Sequence, residues 1–562
     1  MQSFFKIAGM HAQSLVPKRV HHYRSEWAKA DVIAGVTAAA VVIPKALAYA
    51  TVAGLPIQVG LYTAFLPMII YAFLGTSRPL SVSTSATLSI LTASALGQVV
   101  PDGNLAALTT AVATLTALVG VTLLLASVLR LGFVANFISD PVLTGFKAGI
   151  AVVIVVDQLP KLLGIHFDKG SFSHNIYEIV VGVPRLSFVT LAVAVTTMCI
   201  LVVIERFWPK APAPLIAMAA GIAGVALLDL SSHGVGLIGK IPAGLPSLTL
   251  PTRSMILELW PAAVGIALMS FTETIAAGRA FVRDGEPMPS ANRELLATGF
   301  ANLGGAFLGA MPGGGGTSQT AVNRLAGART QVAELVTATG TLCTMLVLGP
   351  FIAMMPHATL AAVVIVYSLG LIKPAEFRAI LSVRRTEFVW ALVAMVGVVF
   401  LGTLQGIVIA IVVSLVALAY QVSDPALHVL RRKPGTTLFR PASPEHPNDE
   451  TIDGLLILRP EGRVFFVNAE RLGRKMSELI SQTAPRVVVI DLRAVFDLEY
   501  TALKMLVAAE KRARHTNQEV WLVGMTPSVT QLVRRSPLNA ALGRERMFER
   551  LEDAVAQFEA TR

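Results

Sequence analysis

The sequence specifies an α-helical polytopic membrane protein followed by a small α/β domain. Three observations carry this. Apolar runs follow one another from Asp31 to about Gln421, charge is scarce only in that stretch, and two polar segments recur at matching places in its two halves. The 562 residues are 54% hydrophobic and 14% charged, with a mean hydropathy of +0.66. Soluble domains carry about 25% charged residues. A spanning helix needs roughly 20 apolar residues. On that measure residues 31–430 form a polytopic membrane domain of fourteen segments, starting near residues 31, 58, 84, 106, 138, 186, 213, 259, 293, 317, 331, 359, 387 and 405.

The net charge of +11 does not mark a nucleic-acid binder. With residues 1–30 as a cytoplasmic N-terminal segment, the inside loops hold Arg78, Arg130, Arg206 with Lys210, Arg279 with Arg283, Arg324 with Arg329, and Arg384 with Arg385. The outside turns at Gly54–Gln58, Val100–Leu105, Met355–Thr359 and Gly402–Thr403 contain no Lys or Arg. Two longer outside loops, with Lys161, Lys169 and Arg185 and with Lys240 and Arg253, show a weak bias. The positive-inside rule accounts for most of the basic excess and puts both termini in the cytoplasm. Cys199 and Cys343 lie in apolar segments, which excludes a disulfide framework. The basic, polar stretch to Lys29 has no cleavable-signal pattern.

Two segments are odd for spanning helices. Ser81–Leu91 (SVSTSATLSIL) and Gly313–Leu325 (GGGGTSQTAVNRL) are rich in Ser, Thr and Gly, and each follows a Leu-Gly pair. Thr84-Ser85 and Thr317-Ser318 lie 233 residues apart, and Lys45 and Glu273 lie 228 apart. Similar spacings indicate two halves of seven segments, the second inverted across the membrane. Short Gly-interrupted segments at matching positions point to a transporter's binding site. A half-helix starting at mid-membrane exposes unpaired N–H groups and the positive end of its dipole, which attract an anion. Four consecutive glycines before the second half-helix would let an anion touch bare backbone. Tight helix packing by small residues is the competing explanation.

These residues resemble the SulP family of anion transporters, to which sulfate, chloride and bicarbonate carriers, prestin and pendrin belong. Ile43-Pro44-Lys45-Ala46-Leu47-Ala48-Tyr49-Ala50 is similar to the family's IPQAMAYA, and Gly54-Leu55-Pro56 with Gly60-Leu61-Tyr62 to its GLP…GLY signature. Leu74-Gly75-Thr76-Ser77-Arg78, Ile138-Ser139-Asp140-Pro141-Val142 with Gly145-Phe146, Ile241-Pro242 with Gly244-Leu245-Pro246, and Gly327-Ala328-Arg329-Thr330 continue the match. The resemblance implies a seven-plus-seven inverted fold with core and gate domains, a cytoplasmic STAS domain and a homodimer in a bacterial inner membrane. It places the substrate between the N-termini of the third and tenth segments.

The candidate substrate-binding residues are Lys45, Tyr49, Thr84, Ser85, Gly314, Gly315, Gly316, Thr317, Ser318 and Gln319, with Glu273 for a coupling ion. Many relatives carry Gln at Lys45 and Arg at Gln319, so the positive charge is expected to have moved between segments. A membrane lysine costs about 2.5–3.5 kcal/mol on insertion scales, and its expected partner is the anion or Glu273. Desolvation disfavours a charged Glu273, so it suits carrying a proton, with Na⁺ as the alternative. No cofactor and no metal centre are expected. Asp140 reads as an N-cap before Pro141.

Residues 431–451 are rich in Pro and charge and read as a linker, with the STAS domain at 452–562. Leu455–Leu458, Val464–Val467, Val487–Asp491 and Val520–Val523 read as strands, and Ala469–Ser481 and Thr501–His515 as helices. Arg463-Val464-Phe465-Phe466-Val467-Asn468-Ala469-Glu470 resembles the family's LFFANAE. Tyr500 stands where STAS domains often carry a phosphorylatable serine, which argues against that switch. The expected function is secondary transport of sulfate or bicarbonate, proton-coupled, by elevator-type alternating access. C4-dicarboxylate symport, Na⁺-coupled bicarbonate transport and anion sensing through the tail are the alternatives. No nucleophile–base set marks an enzyme.

Overall fold

The computed structural model describes residues 23–561 except 102, 138, 168–169, 210, 240–243 and 284. Ile138, Lys169, Lys210, Lys240, Ile241 and Pro242, and most of the 1–30 segment, therefore lie outside the described residues. The chain divides into two compact units between Ser414 and Leu415, a boundary inside the helix Thr403–Ser423 that is counted below with the first unit.

The first unit is helical: α1 (Ala28–Val52), α2 (Gln58–Thr63), α3 (Leu66–Leu74), α4 (Ala86–Val99), α5 (Leu105–Val128), α6 (Asp140–Leu163), α7 (Phe172–Gly182), α8 (Phe188–Phe207), α9 (Ala213–Leu228), α10 (Ile256–Ala280), α11 (Ala291–Ala306), α12 (Thr317–Leu325), α13 (Val332–Val347), α14 (Gly349–Ala353), α15 (His357–Leu369), α16 (Pro374–Val383), α17 (Arg385–Leu401) and α18 (Thr403–Ser423). A helix begins close to every expected segment start. Among the described residues, six helical stretches are long and apolar enough to span a bilayer by themselves: Ser25–Val52, Leu105–Val128, Asp140–Leu163, Phe188–Phe207, Arg253–Ala280 and His357–Val383. Most others are shorter or broken, so length alone does not count the crossings. α7 and α16 were not expected. α7 occupies the connection that sequence reading treats as an outside loop.

Glycines set how closely these helices cross. A Cβ on Gly60 would lie 2.0 Å from Ala46 O, and one on Gly145 1.9 Å from Ala391 O. The Gly60 and Gly145 motifs thus bring α2 onto α1 and α6 onto α17, where any side chain would collide with backbone.

The two odd segments meet. β1 (Val82–Ser83) pairs antiparallel with β2 (Gly314–Gly315), Val82 opposite Gly315 and Ser83 opposite Gly314. β1 leads into α4 and β2 into α12, so two short helices start from a two-stranded crossing inside the helical body. The pairing satisfies backbone groups that a membrane interior leaves without water.

The second unit carries a six-stranded sheet in the order β4–β3–β5–β6–β7–β8: β3 (Leu427–Arg432), β4 (Phe439–Pro441), β5 (Leu455–Pro460), β6 (Val487–Asp491), β7 (Glu519–Val523) and β8 (Met547–Phe548). Helices α19 (Ala469–Thr483), α20 (Tyr500–His515), α21 (Pro527–Arg534), α22 (Pro537–Leu542) and α23 (Leu551–Ala560) accompany it. β5, β6 and β7 are parallel, as strands alternating with helices require. Residues 431–451 are not a plain linker. Leu427–Arg432 pairs with β5, Phe439–Pro441 folds back on it, and Arg440 Nε and Nη2 each donate to Asp449 at 2.8 Å. Val464–Val467 is not a strand either: Val464 forms one isolated bridge to Leu498, and Phe466 is 67% exposed.

Asp491 ends β6 fully buried, gripped by Arg459 Nη2 at 2.7 Å and Arg493 Nη2 at 2.9 Å. Burial works against the carboxylate, but the hydrogen bonds from Arg493 and Arg459 outweigh it and hold the carboxyl below the usual range. Tyr500, in the serine's usual place, is the first residue of α20 and 78% exposed.

Candidate functional site

A cavity of about 760 Å³ lies where the two broken segments meet. Lys45, Tyr49, Thr84, Ser85, Glu273, Gly315, Gly316, Thr317, Ser318 and Gln319 line it, so ten of the eleven candidates come together. Gly314 does not line it: its place is in the crossing, opposite Ser83.

The glycines act differently from the sequence expectation. Gly313 N donates to Asn302 Oδ1 at 2.9 Å, Gly315 N to Thr274 Oγ1 at 2.9 Å, and Gly316 N to Ser81 O at 3.0 Å. Their amides are occupied by protein acceptors. A Cβ on Gly314 would meet Ser270 Oγ at 2.8 Å, and one on Gly315 would meet Thr274 Cα at 2.8 Å. The run is glycine because β2 is wedged between β1 and α10. The unsatisfied donors lie one step later: among the described residues, the N–H groups of Thr317, Ser318 and Gln319 meet no protein acceptor. Thr317 and Ser318 are exposed to the hollow. α12 has Gly316 as N-cap and no side-chain cap, so its orphan donors and its dipole both face the cavity.

The other half-helix starts differently. Ser85 caps α4, its Oγ accepting from Leu88 N at 3.2 Å and donating to Glu273 Oε2 at 2.7 Å. Thr84 Oγ1 sits 3.1 Å from Ser89 Oγ.

Lys45 is 4% exposed and Glu273 8%. The weighed Lys45–Glu273 pair is not formed. Lys45 Nζ donates to Ser318 Oγ at 3.0 Å and lies 4.0 Å from the centroid of the Tyr367 ring, a cation–π contact. Among the described residues no carboxylate pairs directly with the ammonium; Glu205, which accepts from Tyr367 Oη at 2.9 Å, attracts it from farther away. Gln319, where relatives carry Arg, does not replace that charge. Its Nε2 donates to Ser83 Oγ at 2.8 Å and Ser81 O at 3.2 Å, tying α12 to β1.

Sequence reasoning missed several lining groups. Lys147 of α6 makes no hydrogen bond or ion pair among the described residues. Lys373 pairs with Glu376 at 2.8 Å, and Thr144 Oγ1 donates to Glu376 Oε2 at 3.2 Å. Asp140, given no role, also lines the cavity, and Ser139 rather than Asp140 occupies the cap position of α6. An unpaired lysine in an apolar helix was the available signal for Lys147; Tyr367 offered none. Among the described residues no group of three or more His, Cys, Asp or Glu side chains could hold a metal ion.

Comparison with known proteins agrees with this architecture. The sulfate permease family profile matches residues 29–394, and the STAS domain profile residues 446–554. A probable sulfate transporter of Mycobacterium tuberculosis is 32% identical over 540 residues, covering 95% of this chain and 96% of its own length. A probable sulfate transporter of Arabidopsis thaliana is 31% identical over 563 residues, covering 95% and 85%. Among solved structures, murine Solute Carrier 26 family member A9 superimposes with a TM-score of 0.89 at 21% identity, covering 98% of this chain and 95% of its own. The transmembrane domain of a cyanobacterial bicarbonate transporter gives 0.58 at 23% identity, covering 70% and 98%. The chain belongs to the sulfate permease family of membrane transporters, with a STAS domain as its tail.

Proposed function

We propose that the protein is a secondary active transporter that carries sulfate with a proton by elevator-type alternating access. The observation that supports this best is one cavity holding the uncapped start of α12, the buried Lys45 and the buried Glu273. Relatives described as probable sulfate transporters favour the same anion.

The charges favour a dianion with a proton. Lys45, Lys147 and Lys373 line the cavity against Asp140 and Glu376, leaving +1 before Glu273 is counted. Glu273, which accepts from the Ser85 hydroxyl, subtracts one when ionised and nothing when protonated. A protonated Glu273 therefore leaves the cavity one unit more positive opposite sulfate than an ionised one, so proton and dianion bind better together than apart. Ser318 and the N–H groups of residues 317–319 supply hydrogen bonds to oxyanion oxygens. In this reading the protein is a homodimer in a bacterial inner membrane with both termini cytoplasmic, supported by the Arg and Lys bias of the loops.

The test is uptake of radiolabelled sulfate, bicarbonate and fumarate into liposomes under separately imposed pH and Na⁺ gradients. The reading expects sulfate accumulation driven by external acid. Sulfate uptake indifferent to a pH gradient removes proton coupling, and no sulfate uptake removes the substrate. A C4-dicarboxylate is the second reading, favoured by a hollow of about 760 Å³; fumarate accumulation exceeding that of sulfate would establish it.

A further inference from the structure

A second polar cluster lies apart from the cavity, at the turn that feeds β1. Glu334 of α13 is completely buried. Its Oε1 accepts from Asn323 Nδ2 at 3.2 Å. Its Oε2 meets no hydrogen-bond donor, and no cation pairs with it among the described residues. Ser81 and the Val82 backbone lie beside the carboxyl without reaching hydrogen-bonding geometry. The nearby Arg324 is committed to Phe281 O and Glu286. Tyr71 donates to Glu294 rather than to Glu334.

Four more buried oxygens at this turn lack partners: Ser77 Oγ, Ser81 Oγ, Asn323 Oδ1 and Gln331 Oε1. Turning the amides over does not help. Asn323 Nδ2 already donates to Pro79 O at 3.1 Å and to Glu334, and Gln331 Nε2 to Ser77 O, Arg78 O and Leu80 O at 2.7–3.2 Å. All these acceptors require the nitrogen where it is. With Glu334 ionised, three pure acceptors remain, Glu334 Oε2, Asn323 Oδ1 and Gln331 Oε1, against two serine hydroxyl protons, and one negative charge is uncompensated. Burial of that charge is strongly unfavourable unless a bound cation or a proton on Glu334 compensates it.

We propose that Glu334, Asn323, Gln331, Ser77 and Ser81 form a Na⁺ site behind the β1–β2 crossing, separate from Glu273. The single carboxylate matches a monovalent charge. An oxygen-only donor set suits a hard cation, and Na⁺ is the monovalent one tested against K⁺ below. The ion would draw together the turn before β1, the end of α12 and the start of α13. Through them it would brace the crossing from which both half-helices begin.

The probe is Na⁺ itself, added to the purified full-length chain. Thermal stability is compared in NaCl, KCl and choline chloride at equal ionic strength, with ²²Na⁺ binding as the direct readout. The expected result is saturable, Na⁺-selective stabilisation with one ²²Na⁺ per chain. Glu334→Gln should abolish both, and Ser81→Ala should shift half-saturation roughly tenfold. Should Glu334→Gln fail to fold, Ser81→Ala decides alone. No ²²Na⁺ binding, binding that survives in Glu334→Gln, an unchanged Ser81→Ala, or stabilisation that follows acidity instead of Na⁺ each overturns the site. A further arm rests on the sulfate reading: Na⁺ and sulfate should raise each other's affinity by the same factor. Failure of that arm with ²²Na⁺ still bound counts against the substrate assignment, not the Na⁺ site.

Discussion

The two half-helices begin from the same crossing yet are finished in opposite ways. α4 carries a serine cap, and the hydroxyl that caps it also binds Glu273. α12 carries a glycine cap with no side-chain oxygen, and the lysine of α1 reaches its first turn. One end has been closed and given a carboxylate; the other has been left open and given an ammonium. Near-symmetry of sequence spacing thus conceals a polar asymmetry: an anion is expected to dwell at α12, with the ionisable acid across from it.

Removing the charge from the open end should have the largest effect. Losing a charge-assisted hydrogen bond costs about 1.5–3 kcal/mol, so Lys45→Gln should raise KM for sulfate by roughly 10–100-fold. Adding Gln319→Arg should restore little, because the Gln319 amide is bound to Ser81 and Ser83. Uptake kinetics for the single and double variants check both statements. The next effect tests the crossing. Gly315→Ala sets a Cβ against Thr274 Cα, and overpacking of this kind destabilises by about 1–3 kcal/mol, seen as a lower melting temperature in detergent.

Smaller changes probe the caps themselves. Ser85→Ala removes a cap worth about 1 kcal/mol and the donor to Glu273, so melting temperature and the pH response of uptake should change together, with Ser85→Thr restoring both. Gly316→Ser would make α12 resemble α4, but its Cβ would come within 2.4–2.7 Å of the Gln319 side chain, which must shift away from Ser81 and Ser83. A serine cap would occupy one open donor, so sulfate affinity should fall by roughly threefold, about 0.7 kcal/mol, while the cap's gain in stability is offset by the displaced Gln319 bonds. If affinity is unchanged, the open cap is not the anion's seat. The smallest effect lies in the tail. The Asp491 carboxyl is held below its ordinary range, so its stabilisation is present above about pH 3.9 and is lost as pH falls further, through the lowered value. Hydrogen exchange of β6 in the full chain should stay protected at pH 5 and open below about pH 4.

The helices were legible because apolar runs and charged loops alternate on the scale of a bilayer. The broken pair was legible because Gly, Ser and Thr interrupt two of those runs at equal spacing. The purpose of the glycines was not. Whether a bare amide faces a ligand or a threonine depends on the neighbouring helix, and Thr274 lies 41 residues away from Gly315. Lys147 and Tyr367 escaped for the same reason, since each reaches the cavity from a helix distant in sequence. The 431–451 stretch misled because its own strand, β4, is three residues long and lies at the sheet edge, where the proline of Phe439–Pro441 is tolerated.

The crossing of β1 and β2 has one more consequence. Gly316 N bonds Ser81 O across the crossing, while Gly313 and Gly315 donate to Asn302 and Thr274 of the flanking helices, so neither strand can slide by itself without breaking bonds to its neighbours. Under the proposed transport cycle, the two helix starts are expected to move together as one piece.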